Sequence, residues 1–148
     1  METKKYEAAF QLLASSITQI TMENTMICVS EMLDMDRKYS INLKKLSIED
    51  HSEYKTAGID VEVNAVLSEK DVDNPKIFKI SIVICGVFQA DKNTSKEEFE
   101  SKLRINGVAA LYSISRGFIT SLSSQALVDG KVMLPLVNFI EYSKDNNP

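Results

Sequence analysis

Between Ile59 and Leu67 the chain alternates strictly: Ile59, Val61, Val63, Ala65 and Leu67 are apolar, while Asp60, Glu62 and Asn64 are polar. Successive side chains of a strand point to opposite faces, so this stretch has one dry face and one wet or interface face. A helix would scatter the same residues around its circumference, because its period is 3.6 and not 2. The chain is thereby committed to a sheet. A second strand, Ile77 to Phe88, follows a polar turn over Asp71 to Pro75. Phe78, Ile80, Ile82 and Ile84 share one face, and Val83, Cys85 and Val87 make the second half apolar on the other face too. A strand buried on both faces sits inside an assembly or under helices.

The segments before these strands are less regular. Tyr39 to Ile48 carries Ile41 and Leu43 on one phase and Leu46 and Ile48 on the other. A one-residue slip turns side chains over, so the flip at Lys44-Lys45 predicts a bulge or a twist. Phe10 to Met22 is rich in β-branched and small residues and is compatible with strand or helix. Glu23 to Met35 has Met26, Val29, Met32 and Leu33 at helical spacing, which predicts a short helix or an ordered crossover.

After residue 90 the period changes. Thr94-Ser95 followed by Glu97-Glu98 is a capping-box signature that starts a helix. Phe99 and Leu103 give it an apolar stripe, and Gly107 is expected to break or bend it. A second helix follows, with Val108, Leu111, Ser115, Phe118, Leu122 and Gln125 near one seam and Ile119 and Ala126 beside it. Asp129-Gly130 reads as a turn, Val132 to Tyr142 as extended, and residues 143–148 as a flexible, solvated tail. Strands first and helices afterwards make a segregated α+β domain spanning residues 1–148.

Chemistry is sparse along this chain. His51, the one histidine, lies in the polar turn Asp50-His51-Ser52-Glu53 without the converging partners that a metal or general-base site needs. Cys85 lies in an apolar strand, where cysteine behaves as a small hydrophobe. The two cysteines form no C-x-x-C pair, which suits a reducing compartment. No glycine-rich phosphate loop or nucleophile elbow is present, so no catalytic residue, metal or cofactor is expected. A net charge of −4 with scattered lysines excludes a phosphate-binding stripe and argues against nucleic acid. No apolar run approaches the roughly 20 residues that cross a bilayer. The opening Met-Glu-Thr-Lys-Lys-Tyr-Glu lacks an apolar signal core, so a cytosolic protein is expected.

The last third carries a resemblance. Leu111, Tyr112, Arg116, Ile119, Thr120 and Leu122, followed by a turn and by Pro135-Leu136-Val137-Asn138-Phe139, resemble the C-terminal half of the SecB family. Ser113 stands where the family has proline, and Pro135 sits one place early. Phe10-Gln11-Leu12 and Glu23 keep the spacing of the family's opening strand. The resemblance implies a four-stranded antiparallel sheet packed with two C-terminal helices, assembled as a homotetramer from two dimers. It implies an ATP-independent holding chaperone for unfolded polypeptides, and a structural role for Arg116, whose simplest partner in the chain is Glu98 or Glu100.

Family members of the export type dock on the motor SecA through an acidic face of the sheet. Here Gln19 and Ser81 stand where acidic residues are expected and Glu23 alone remains, so coupling to SecA is expected to be weak. Other members are dedicated to antitoxins, a role that fits these departures. General preprotein delivery to SecA is the alternative. The rivals from other classes are a hotdog-type enzyme acting on acyl thioesters and a plain oligomeric scaffold. Against the enzyme, Leu111 to Leu127 contains no acid and no histidine. For a holding chaperone the expected client-binding residues are Met26, Met32 and Met35, Ile41 and Leu43, and Phe139. Methionine repacks around varied apolar partners, although core filling is the commoner use of such residues.

Overall fold

The two alternating segments become the centre of a sheet. In the computed structural model, which describes residues 8–29 and 35–146, the strands are β1 (Phe10–Asn24), β2 (Met35–Asp50), β3 (Tyr54–Glu69) and β4 (Ile77–Asp91). They form one antiparallel sheet in the order β1-β4-β3-β2. Val61 lies beside Ile84, Val63 beside Ile82 and Leu67 beside Phe78. All six are shut off from solvent and line the covered face. Asp60, Glu62, Asn64 and Ser81 look out from the opposite, open face, where Val87 is exposed and Val83 and Cys85 are half-buried.

The flip in β2 resolves as a bulge. Its register against β3 shifts between Leu43 and Lys45. The extra residue restores the phase, so Ile41, Leu43, Leu46 and Ile48 all share the covered face. β1 proves to be a strand with two register shifts of its own, between Leu12 and Ala14 and between Ile17 and Gln19. At the free edge of the sheet it leaves Leu13, Ile20 and Met22 exposed.

The covering layer begins where the capping box predicts. Ser95 accepts the Glu98 N–H at 3.1 Å and opens α1 (Lys96–Lys102). Gly107 does not break the helical run. A π-helical turn, Leu103–Gly107, leads directly into α2 (Val108–Ala126). A side chain at 107 would meet the Ile59 Cδ1 at 3.1 Å, so the glycine permits close approach of helix and sheet. Leu111, Tyr112, Ser115 and Ile119 face the core, whereas Gln125 is exposed.

Further along, the crossover takes the second of its two readings and one expectation is corrected. The described part of the crossover, 25–29, is irregular and not helical. Ile27 anchors it in the core, and the Asn24 side chain donates to the Ala126 carbonyl at 3.0 Å. Met32 and Leu33 lie outside the described residues. After α2 the chain is irregular as far as Asn138, but Phe139 to Tyr142 is not extended. Those residues open α3 (Phe139–Asp145), so residues 143–145 are helical too. Asn138 caps this helix by accepting the N–H groups of Ile140 and Glu141 at 3.1 and 3.3 Å.

Candidate binding groove

The strap between α2 and α3 is held by side chains from one face of α2. Ser123 Oγ accepts the Val132 N–H at 2.7 Å. Arg116 Nε donates to the Leu134 carbonyl at 2.7 Å, and the Tyr112 hydroxyl donates to the Pro135 carbonyl. These clips run in step down helix and strap and bury Val132 and Leu134. Arg116 therefore acts on the strap and not on an acid: Glu98 pairs with Lys102 and Glu100 with Arg104. Gly130, at φ +72°, turns the chain against Val29.

Held in this way, the strap stands off β2 and leaves a groove between them. Its wider part is a cavity of about 450 Å³ bounded by Tyr39, Ile41, Tyr112, Pro135, Val137 and Tyr142. A second cavity of about 330 Å³ continues it past Val29, Leu67, Val132 and Met133, with Arg37 and Lys131 at its rim. Tyr39 lines both, so the two lie side by side along the edge of the sheet. Phe139 wedges between Tyr112 and Tyr142, with ring centroids 5.4 and 5.8 Å apart. Burial pushes the Tyr112 and Tyr142 phenols up from their ordinary value. Both hydroxyls serve as neutral hydrogen-bonding groups.

The expected client-binding residues separate in space. Ile41 lines the groove, while Phe139 lines neither cavity and packs behind the wall against Tyr112 and Tyr142. Leu43 lies on the same face of β2, half-buried against the core. Met35 is buried in that core. Met26 is 66% exposed, at the exit of β1. Sequence reasoning missed Tyr39, Tyr112, Tyr142 and Val137. Their apolar rings and chains come together only through contacts between β2, α2 and α3.

The open face is different in character. Gln19 lies beside Val83, Glu23 beside Lys79, and Ser81 beside Asn64 and Thr21. Glu62 accepts from Asn64 at 2.8 Å and pairs with Lys44 at 3.5 Å. The Asn64 hydrogen bond holds its carboxyl below the usual range. His51 stacks on Tyr54 and bonds the Thr56 hydroxyl, and burial raises the Cys85 thiol. Among the described residues no cluster has the makings of a metal site, and no helix is long and apolar enough to cross a membrane.

No protein-family model matches the chain. Two curated relatives, from the Boryong and Ikeda strains of Orientia tsutsugamushi, are both named protein-export protein SecB. The first is 24% identical over 121 residues, 82% of this chain and 68% of the relative. The second is 23% identical over 145 residues, 95% of this chain and 80% of the relative. Among solved structures, the chain is similar to the SecB-like chaperone of Mycobacterium tuberculosis in complex with a ChAD peptide from the HigA1 antitoxin. The TM-score is 0.59 at 10% identity, covering 86% of this chain and 90% of that one. The chain is SecB-like. The four-stranded antiparallel sheet backed by C-terminal helices is the fold in which the chain is similar to that chaperone. The relatives are named protein-export proteins and the similar structure a chaperone, so the comparisons support a chaperone and give the thioester-enzyme alternative no support.

Proposed function

We propose that this SecB-like protein is an ATP-independent holding chaperone whose client segments lie extended in the groove between β2 and the strap. The observation that carries the reading is the groove itself, two neighbouring cavities that share Tyr39 and are lined mostly by aromatic and aliphatic side chains at the edge of a sheet. Such a site takes an elongated apolar segment and offers no acid–base pair for chemistry. Ile41, with Tyr39 and Val137, forms its contact surface, and Leu43 and Phe139 support that surface from the core side. Exposed Met26 extends that surface, Met35 supports it from below, and Met32, which lies outside the described residues, is assigned to it on its chemistry alone. Binding is passive: burial contributes about 25 cal/mol per Å² of apolar area, and the held chain cannot collapse while its apolar residues are engaged.

The client class closest to this reading is an aggregation-prone antitoxin segment. The similar Mycobacterium tuberculosis chaperone was solved with an antitoxin peptide, and Gln19 and Ser81 on the open face are neutral, which leaves Glu23, Asp60 and Glu62 as the acidic groups there for docking on SecA. Preprotein delivery is the second reading, favoured by the names of the two Orientia relatives. The working form is a cytosolic homotetramer built as a dimer of dimers, which covers the exposed Leu13, Ile20 and Met22 of β1. The test is suppression of aggregation of a chemically unfolded protein without nucleotide, with light scattering for the assembly. The proposal expects stoichiometric suppression by a tetramer. Unchanged client aggregation would reject the holding role, and a strict monomer would reject the assembly.

A further inference from the structure

β1 and β2 lie at opposite edges of the sheet, so the chain between them has to pass the ends of β4 and β3. Its described part is held by a different device at each step. Thr25 donates its N–H to the Ile77 carbonyl of β4 at 3.0 Å and accepts the Ile77 N–H on its hydroxyl at 2.8 Å. Ile27 is fully buried. Val29 is only half-buried and depends on the turn that follows α2. Its N–H donates to the Asp129 carboxylate at 2.9 Å. A Cβ on Gly130 would lie 3.2 Å from the Val29 Cβ. The Asp129-Gly130 turn therefore serves Val29 twice: the carboxylate anchors its backbone, and the bare glycine lets its side chain pack close.

Val29 is also a wall of the narrower cavity. Tyr39 and Leu67, which line it too, are fixed by the sheet, and Val132 by its bond to Ser123. The Val29 wall rests on one carboxylate. Without that acceptor a half-buried N–H would lack a partner, and turning toward water would restore one. That movement draws Val29 off the cavity and widens it. The two cavities differ in what they offer. The wider one, of about 450 Å³, presents the rings of Tyr112 and Tyr142, which suit an aromatic partner. The narrower one, of about 330 Å³, presents mainly the aliphatic chains of Val29, Leu67 and Val132 beside Tyr39. We propose that Asp129 is a specificity-determining residue: by fixing the Val29 wall it keeps the narrower cavity to aliphatic side chains of the client and turns aromatic ones away. This rests on the reading of the groove as the client site and goes beyond it, because it names the side chains that one part of the groove admits and the residue that sets the limit. Asp129 acts through Val29, as a positioning residue.

Fluorescence anisotropy of two labelled peptides on the full chain tests this. One peptide alternates valine with serine, the other phenylalanine with serine, and both end in glutamates, so the apolar side chain is the same in every register. Asp129→Ala should shift the ratio of the two affinities toward the phenylalanine peptide by at least about fivefold. The Val29 amide should exchange hydrogen at least about tenfold faster in that variant. Asp129→Asn, whose side-chain oxygen still accepts, should keep both readouts near wild type. A merely structural role would weaken both peptides alike and leave the ratio unmoved. Val29→Ala enlarges the cavity with the carboxylate in place. It should shift the ratio in the same direction, and it decides the matter if Asp129→Ala does not fold. An unmoved ratio in folded Asp129→Ala or in Val29→Ala, or an unmoved Val29 amide in Asp129→Ala, would overturn the proposal and leave the groove reading standing. An Asp129→Asn protein that behaves as Asp129→Ala would overturn it too, since the hydrogen bond would then not be what holds the wall. Binding of neither peptide by the wild-type protein would remove the groove reading and this one with it.

Discussion

Replacing Ile41 by aspartate places a carboxylate on the floor of the groove. Ile41 lies opposite Val63 on the covered face of β2 and is half-buried, because the cavity above it is open. In the free protein the new carboxylate keeps part of its solvent. The folding cost is therefore mostly the lost apolar contact, about 1–2 kcal/mol, or a fall of roughly 2–8 °C in thermal midpoint for a chain of this size. A client seated in the groove removes the remaining solvent and offers no cation to an apolar contact. Burying an unpaired charge in this way costs about 3 kcal/mol, which is roughly 100-fold in affinity. Fluorescence anisotropy of a labelled unfolded client, alongside a thermal melt, separates the two effects. Leu136→Asp is the control, since Leu136 is 86% exposed and lines neither cavity; it should bind as wild type. A folded Ile41→Asp protein that binds within about threefold of wild type would refute this reasoning.

Three further outcomes follow from the same geometry. Arg116→Ala leaves the Leu134 carbonyl without its charged donor, so it should cost about 1.5–3 kcal/mol and loosen the groove wall; Glu100→Ala, which touches only Arg104, should do neither, as thermal melts and client anisotropy will tell. Tyr112 and Tyr142 hold their protons more tightly folded than unfolded, so their stability contribution is complete below the ordinary tyrosine value, about pH 10, and is lost as pH rises through the raised folded values. The alkaline limb of the stability curve should flatten in Tyr112→Phe with Tyr142→Phe, and an unchanged limb would contradict it. On the open face, Gln19→Asp with Ser81→Glu should strengthen binding to SecA in a salt-sensitive manner, measured by surface binding at two ionic strengths; tight native binding with no gain would show that those positions do not set docking.

What could be seen in the sequence tracks how local the determining forces are. The alternation of Ile59 to Leu67 identified β3 directly, because both of its neighbours and the helical layer act on one face. The β2 bulge was visible as a broken phase at Lys44-Lys45. β1 was ambiguous because it is an edge strand with two register shifts, so little of its pattern is imposed by burial. Gly107 read as a breaker because its local cost in a helix was plain, while its close approach to Ile59 and Phe88 was not. α3 was missed because Val137-Asn138-Phe139 looks strand-like, although Asn138 is a good N-cap and Phe139 and Tyr142 are spaced for one helical face. The groove was the least accessible part. Of the expected contact residues only Ile41 lines it, with Phe139 packed behind its wall. Tyr39, Tyr112 and Tyr142 join them across sequence separations that no local period records.

The central claim is that the groove between β2 and the strap holds unfolded chains, and site-specific photo-crosslinking measures this most directly. A photoreactive residue at Val137, on the groove wall, should capture an unfolded client in good yield and its folded form hardly at all. The same group at Thr21, on the open face beside Ser81, should capture neither. Capture from Thr21, or equal capture of folded and unfolded client from Val137, would contradict the account.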